Sequence, residues 1–326
     1  MNFFQSSVLG SVMLVAGLGA AQAQTQAWPP ATVRIVVPYP AGTEPDVLAR
    51  DIGNALSKQT GKTFVVDNKP GANSIIGTDA VAKAEPDGAT LLMVDRLALV
   101  TNPMLYSKLP YKWEEAVKPV SDLARVNLMI GVRAGLPVKT FTELVAYAKA
   151  NPGKLNVGTG GNGHVTHIGM EMLSKAHGYS QTYVPYKGIG PAITGLASGE
   201  VDAVIAGGLA LAAQAKSERV RLLAIGDEQR AAFAPEVPTI TEAGGKAGSI
   251  PSTVFALFAP GKVPDAVVTQ IHQAVVQAVA GSSMKAQYAA RGLEVGTSKP
   301  ADTLAAMKQE TVKYEQVIRE AGIRID

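Results

Sequence analysis

The sequence predicts an α/β protein of two lobes, each a sheet of parallel type covered by helices, the two joined by a pair of extended crossing segments. Three observations predict it. Short β-branched apolar runs alternate with helical patterns; that alternation occurs in two separate blocks; and two extended segments, 122–132 and 252–259, lie between the blocks. Strand–helix alternation implies parallel pairing with right-handed crossovers and helices on both faces.

In the first block Val33–Val37 reads as a strand ended by Pro38. From Pro45 to Lys58 the apolar residues Val47, Leu48, Ile52, Ala55 and Leu56 recur at helical spacing, and Gly61 stops the helix. Phe64–Val66 is a second strand, Gly77–Ala84 a second helix and Thr90–Val94 a third strand. The second block opens with a helix capped by Thr140 and closed by Asn151-Pro152-Gly153. Strands follow at Leu155–Val157, Thr182–Val184, Val201–Ile205 and Arg221–Ile225, with helices at Gly163–His177 and Pro191–Leu196. Two long helices, Pro264–Ala280 and Pro300–Ala321, finish the chain. The expected division is residues 24–124 plus 250–326 for the first lobe and 125–249 for the second.

Composition narrows the function. The 326 residues are 47% hydrophobic and 17% charged, which excludes a disordered, solvated chain. A net charge of +3, from 30 basic and 27 acidic residues evenly spread, argues against a nucleic-acid partner. With no Cys there are no disulfides, thiolate metal sites or cysteine nucleophiles. The apolar run Val8–Leu18 is too short for a spanning helix and precedes Ala21-Gln22-Ala23, a small-x-small pattern. Residues 1–23 therefore read as a secretory signal cleaved after Ala23, although no Lys or Arg precedes the apolar run. The mature protein is expected to be exported, soluble and monomeric.

Four loops share one design, a strand end followed by small or polar residues and a helix start: 38–46, 70–77, 158–164 and 186–191. In open α/β sheets the binding crevice lies outside the carboxyl ends of the strands. Glycine lets the backbone approach a ligand, and the first N–H groups of a helix have no internal partner, so such ends favour an anion. Enzyme signatures are missing: there is no G-x-x-x-x-G-K-[ST], G-x-S-x-G or H-E-x-x-H. His164 and His167 lie three apart at a helix start, a conceivable metal pair but better read as capping or core residues. No cofactor is expected. Asp95-Arg96, after the third strand, has two readings. It is an ion pair at a strand end, or Arg96 holds a ligand carboxylate while Asp95 orients it or meets a ligand amine.

The order and spacing of several motifs resemble the TctC/Bug-type solute-binding proteins of tripartite tricarboxylate transporters. These are Val36-Val37-Pro38-Tyr39-Pro40-Ala41-Gly42 with Asp46-Val47-Leu48-Ala49-Arg50, then Val66–Asn73 with Ile76-Gly77, and Ala84-Glu85-Pro86-Asp87-Gly88. Asn102-Pro103, Leu136–Thr140, Pro152–Asn156, Gly161-Asn162-Gly163, Val184–Gly188 and Pro235–Thr239 continue the match to the C-terminus. The resemblance implies a bilobed type II periplasmic binding fold that closes on a small organic carboxylate and hands it to a transporter permease, without catalysis. The alternatives it leaves are an extracytoplasmic sensor of the same fold or, from the residues alone, a secreted α/β enzyme acting on a small acid.

Carried over by position, the implied ligand contacts are Tyr39, Gly42, Thr43 and Asp46 in the first lobe, with Asn73 and Ser74 from its second loop. The second lobe would contribute Asn162, His167, Tyr186, Lys187 and Gly188. Three departures from the family pattern bear on the ligand. Glu44 stands in the first loop, Asp95-Arg96 replaces small residues, and Ala206-Gly207-Gly208 replaces a polar residue, enlarging the pocket at Gly207. Together they suggest an aromatic or bulkier acid that meets Arg96.

Overall fold

The structure is a computed structural model and describes residues 28–325. The export signal expected before Ala23 lies outside the described residues. No helix among them is long and apolar enough to cross a membrane.

The first lobe begins with three strands, β1 (Thr32–Val37), β2 (Thr63–Asn68) and β3 (Thr90–Asp95). Between them run α1 (Glu44–Thr60) and α2 (Ile75–Ala82). α1 forms because Pro45 presets its first turn, Glu44 and Asp46 complement the helix dipole, and Leu48, Ile52 and Leu56 bury one stripe. Gly61 ends it at φ 68°, returning its N–H to Ser57 O. After β3 come α3 (Arg96–Leu105) and α4 (Trp113–Ala116), neither anticipated from periodicity. Next β4 (Val117–Val126) leads through the single residue Asn127 into β5 (Leu128–Arg133) of the second lobe.

That lobe continues with α5 (Phe141–Ala150), β6 (Asn156–Thr159), α6 (Val165–His177), β7 (Thr182–Pro185), α7 (Ile189–Ser198), β8 (Ala203–Gly207), α8 (Gly208–Ala215) and β9 (Val220–Ile225). Residues 226–252 return the chain to the first sheet at β10 (Thr253–Pro260). α9 (Asp265–Ala280), α10 (Met284–Ala289), β11 (Leu293–Val295) and α11 (Pro300–Ala321) complete it.

The strand orders are β11-β4-β10-β3-β1-β2 and β7-β6-β8-β5-β9. Two helix-covered sheets with two crossings match the expected architecture, but the sheets are mixed. Parallel pairing is confined to β1–β2, β1–β3, β6–β7 and β6–β8. β10 runs antiparallel to β3 and β4, and β5 antiparallel to β8 and β9. The reason is geometric: a strand returning from the other lobe enters from the cleft end and needs no helical crossover. This topology points the carboxyl ends of β1, β3, β6 and β8 and both crossings at the same space.

α11 ties the lobes together along one side. Its Met307, Tyr314 and Ile318 share an apolar cluster with Ile168 and Met172 of α6. Beyond its end, Ile325 N–H bonds Leu105 O at 3.0 Å.

Candidate functional site

A cleft cavity of about 450 Å³ lies where the strand ends of both sheets converge. The first lobe contributes the start of α1, Tyr39, Asn73 and the β3–α3 junction; the second contributes the starts of α6 and α7 and the β8–α8 junction; Val126, Leu128, Thr253 and Phe255 come from the crossings. A larger groove of about 740 Å³ between α1 and α9 is polar and open, and none of the strand-end loops lines it.

On the first-lobe side the loop before α1 is held from behind. Asp46 is buried, and its carboxylate accepts Gly42 N–H at 2.8 Å, Asn68 Nδ2 at 2.9 Å and Arg50 Nε at 3.1 Å. These donors keep its pKa low against the cost of burial. Next to this loop, Ala72, Asn73 and Ser74 take consecutive left-handed φ values of 46°, 48° and 73°. Each costs about 1 kcal/mol or more. A reciprocal pair offsets that strain: Asn73 Nδ2 donates to Asn102 Oδ1 at 2.7 Å, and Asn102 Nδ2 donates to Asn73 O at 2.9 Å.

The floor of the cleft is Asp95, buried at the end of β3. Its N–H donates to Tyr39 Oη at 3.1 Å, and its Oδ1 caps α3 by accepting Leu97 N–H at 3.0 Å. Burial pushes its carboxyl up to about 7, despite the amides that favour the charged form. Burial likewise raises the Tyr39 phenol, with the Asp95 charge adding to it. Tyr39 packs edge-on against Phe255 at 6.0 Å between ring centroids.

The second-lobe wall is built of neutral groups. Gly160 N–H donates to Thr166 Oγ1 at 2.9 Å, and Gly163 N–H donates to His167 Nδ1 at 3.1 Å. His164 is the N-cap of α6, its Nδ1 accepting Thr166 N–H at 3.3 Å. With Nδ1 accepting this N–H, the ring proton is assigned to Nε2, and His164 lines the cavity. Burial first, then the neighbouring His167, pushes the His164 pKa down to about 4, so the ring stays uncharged at neutral pH. Burial also lowers His167.

Of the residues expected at the site, Tyr39, Gly42, Thr43, Asn73 and Gly207 line the cavity. Asp46, Ser74 and His167 stand behind the lining; Asp46 and His167 fix loop amides, and Ser74 lies under Tyr39. Tyr186 is turned from the cavity to pack over Gly158 and Gly195. Gly188 caps α7 at φ 107°, while Asn162 and Lys187 are exposed and do not line the cavity.

Arg96 corrects an expectation. Its side chain is 8% exposed and bound by Glu310 of α11 at 2.8 Å and Asp122 of β4 at 2.5 Å. Those two carboxylates are 26 and 214 residues away in sequence and occupy the guanidinium, so Arg96 is an ion-paired residue, but its partners are Asp122 and Glu310 rather than Asp95. Among the described residues no Lys or Arg lines the cavity.

Residues that sequence reasoning missed include His164 in the lining and the Leu97, Leu128, Ile168 and Ile193 walls, while Asp95, raised only as a partner of Arg96, forms the floor. The polar signal was legible: Asp95 ends a wholly buried strand that is apolar from Leu91 to Val94, and His164 caps a helix. The N–H groups of Glu44, Val165 and Ile189, first residues of α1, α6 and α7, make no hydrogen bond among the described residues, and all three residues line the cavity. Glu44 also lines the mouth of the cavity, where partial loss of hydration raises its carboxyl pKa and the Arg291 charge only partly opposes the rise. Such an arrangement can hold a small anion by backbone dipoles and neutral donors, with an apolar body packed beside it.

Comparison with known proteins agrees with this geometry. The family described as TctC, tripartite tricarboxylate transporter family receptor, matches residues 48–323. Protein BugT of Bordetella pertussis is 31% identical over 320 residues, covering 98% of each chain. Among solved structures, R. palustris Rpa4515 with adipate superposes at a TM-score of 0.81 with 31% identity, over 91% of this chain and 100% of that one. MatC from Rhodopseudomonas palustris with bound malate gives 0.77 with 28% identity, over 88% and 98%.

Proposed function

We propose a cargo and a route for this chain from one premise: it belongs to the tripartite tricarboxylate transporter receptor (TctC) family of periplasmic solute-binding proteins. The chain is exported, cleaved after Ala23, and works as a monomer that captures a small organic carboxylate with a bulky apolar or aromatic body. It delivers that acid to a tripartite-type membrane permease and leaves it chemically unchanged. The lobes, 24–124 plus 250–326 and 125–249, close about the Val126–Leu128 junction and the return segment 226–252.

The observation that carries this reading is the trio of unpaired first-turn amides of Glu44, Val165 and Ile189, from α1 in one lobe and α6 and α7 in the other. A carboxylate spanning them bridges both lobes and therefore binds the closed form better than the open one. Micromolar affinity needs about −8 kcal/mol. A few charge-assisted hydrogen bonds and burial against Leu97, Ile168 and Phe255 can supply that after ordering costs. The neighbours with adipate and malate support the anion class, while the apolar walls support a body larger than either.

Isothermal calorimetry with a panel of aliphatic and aromatic carboxylates, paired with solution scattering, tests this. The expected result is saturable heat for at least one acid, with compaction on binding. A panel that yields neither heat nor compaction overturns the reading.

A further inference from the structure

An anion that enters this cleft meets a buried acid and no cation. Asp95 is 6% exposed, ends β3 and lines the cavity. Among the described residues, the titratable side chains in the lining are Asp95, Glu44 at the mouth, Tyr39 and His164. None of these is a Lys or Arg that could neutralise both the guest and the floor. Two carboxylates confined in one site of low dielectric repel each other, and the usual outcome is that one of them takes up a proton. Asp95 is the one whose surroundings already favour the neutral form.

Those surroundings come from five elements. α11 places Glu310 and the buried phenol of Tyr314 near Asp95, while Lys313 of the same helix donates to Gly248 O at 3.3 Å. α3 supplies the one nearby positive charge, Arg96, but Glu310 and Asp122 of β4 already share it. The backbone amides of Leu97 in α3 and Val254 in β10 both donate to Oδ1, at 3.0 and 3.4 Å. Tyr39, from the loop after β1, accepts the Asp95 N–H, and burial keeps its phenol neutral. The second lobe adds His164, which burial holds uncharged with a pKa of about 4. Burial, reinforced by Glu310, outweighs the two amides and the shared guanidinium, and the Asp95 carboxyl rises to about 7.

A ligand carboxylate at the starts of α1, α6 and α7 adds a negative charge within the same 450 Å³ cavity. Its field drives Asp95 further toward the neutral acid. Once protonated, Asp95 no longer repels the guest and has a hydroxyl to donate. The direction of the pH effect follows by linkage. Below about 7 the free protein already holds the proton and affinity is full; above it, each binding event must draw the proton from solvent, and affinity falls as pH rises. His164 and His167 cannot mimic this, because burial lowers both and leaves them uncharged above neutral pH.

Resting on the carboxylate-receptor reading and adding to it, we infer that the protein binds its acid together with one proton, drawn from solvent and held on Asp95, which then meets the guest as a neutral hydrogen-bond donor. Asp95 is in that case the residue that sets the pH range of capture. One carboxylate anion and one proton enter the cleft together, and an oxygen of the guest at the floor accepts from the Asp95 hydroxyl.

Calorimetry of the wild-type protein tests this with plain mono- and dicarboxylates, succinate to adipate and benzoate to 3-phenylpropanoate, at pH 6.5 and pH 8.5. Each acid that binds is expected to do so about tenfold more weakly at the higher pH, although every probe is ionised at both. At pH 8, heats measured in phosphate and in Tris, whose ionisation enthalpies differ, are expected to show uptake of roughly one proton per ligand. Asp95→Asn and Asp95→Ser each keep a side chain able to cap α3. Both are expected to abolish the uptake and flatten the pH profile, and Asp95→Asn to bind more tightly than wild type at pH 8.5. A flat wild-type profile without uptake, or affinity that rises with pH, overturns the inference while the carboxylate-receptor reading stands. Uptake that survives in a folded variant does the same. If neither variant folds, the wild-type proton count and profile decide. Absence of binding by the whole series at both pH values overturns both.

Discussion

The two walls of the cleft solve the same problem in opposite chemistry. Each is a loop between a strand end and a helix start, and each pins a glycine amide with a side chain from the following helix. In the first lobe the pin is a carboxylate: Asp46 takes Gly42 N–H. In the second it is a neutral hydroxyl or ring nitrogen: Thr166 takes Gly160 N–H and His167 takes Gly163 N–H. Loop geometry alone therefore does not decide the polarity of a βα-loop site; the residues standing behind the loop do. The comparison also shows why glycine-rich loops overstate the number of amides left for a ligand. Those of Gly42, Gly160 and Gly163 are spent internally, and the free ones belong to Glu44, Val165 and Ile189.

The harshest way to break the contrast is to remove the charged pin. Asp46→Ala strands Gly42 N–H, Asn68 Nδ2 and Arg50 around an empty buried site. It is expected to cost about 3 kcal/mol of stability in urea denaturation, with loss of carboxylate binding. The equivalent change on the neutral side, Thr166→Val, is expected to cost only about 1 kcal/mol. Equal costs would show that the charge of the pin is immaterial.

Arg96→Ala acts one layer deeper. It leaves Glu310 and Asp122 facing each other, both partly buried, and loosens α11 from the sheet. A loss of about 2 kcal/mol is expected, read as a lower urea midpoint, with carboxylate affinity changed less than threefold. A large, selective loss of affinity in a stably folded variant would restore Arg96 to the ligand.

The mildest probe is pH. The Asp95 carboxyl is held at about 7 in the folded protein, whereas an unfolded Asp titrates near ~3.9. Between those values the folded state holds a proton that the unfolded state has released, so this residue's contribution to stability is full below the lower value and falls as pH rises through the upper one. Melting temperatures of wild type and Asp95→Asn across this range should converge or cross as pH rises, the wild type losing ground. Parallel curves would mean that Asp95 is ionised throughout.

Much of the fold was legible in the chain. The α1 stripe of Leu48, Ile52 and Leu56 and the Gly61 stop are local patterns, and α1 lies where they indicate. α3 was hidden because Pro103 sits inside it and its start follows β3 without a turn; the cap is the side chain of the strand's last residue, Asp95. β11, three residues long, exists only because β4 offers an edge to pair with. Among the site residues, Tyr39, Thr43 and Asn73 could be placed from their loops, but Arg96 could not be told from a ligand contact until Asp122 and Glu310 were brought to it.

Family, lobe count and the end of the sheets that faces a ligand follow from order and periodicity along one dimension, because strand–helix alternation and motif spacing are properties of neighbours in the chain. Which polar groups remain available to a guest is a property of neighbours in space. Asn73 is paired from 29 residues away and Arg96 from 214, and the pairing leaves the buried hydroxyl of Thr253 over. Desolvation penalises a buried polar atom that lacks a partner, and only the folded packing says which of them found one within the protein.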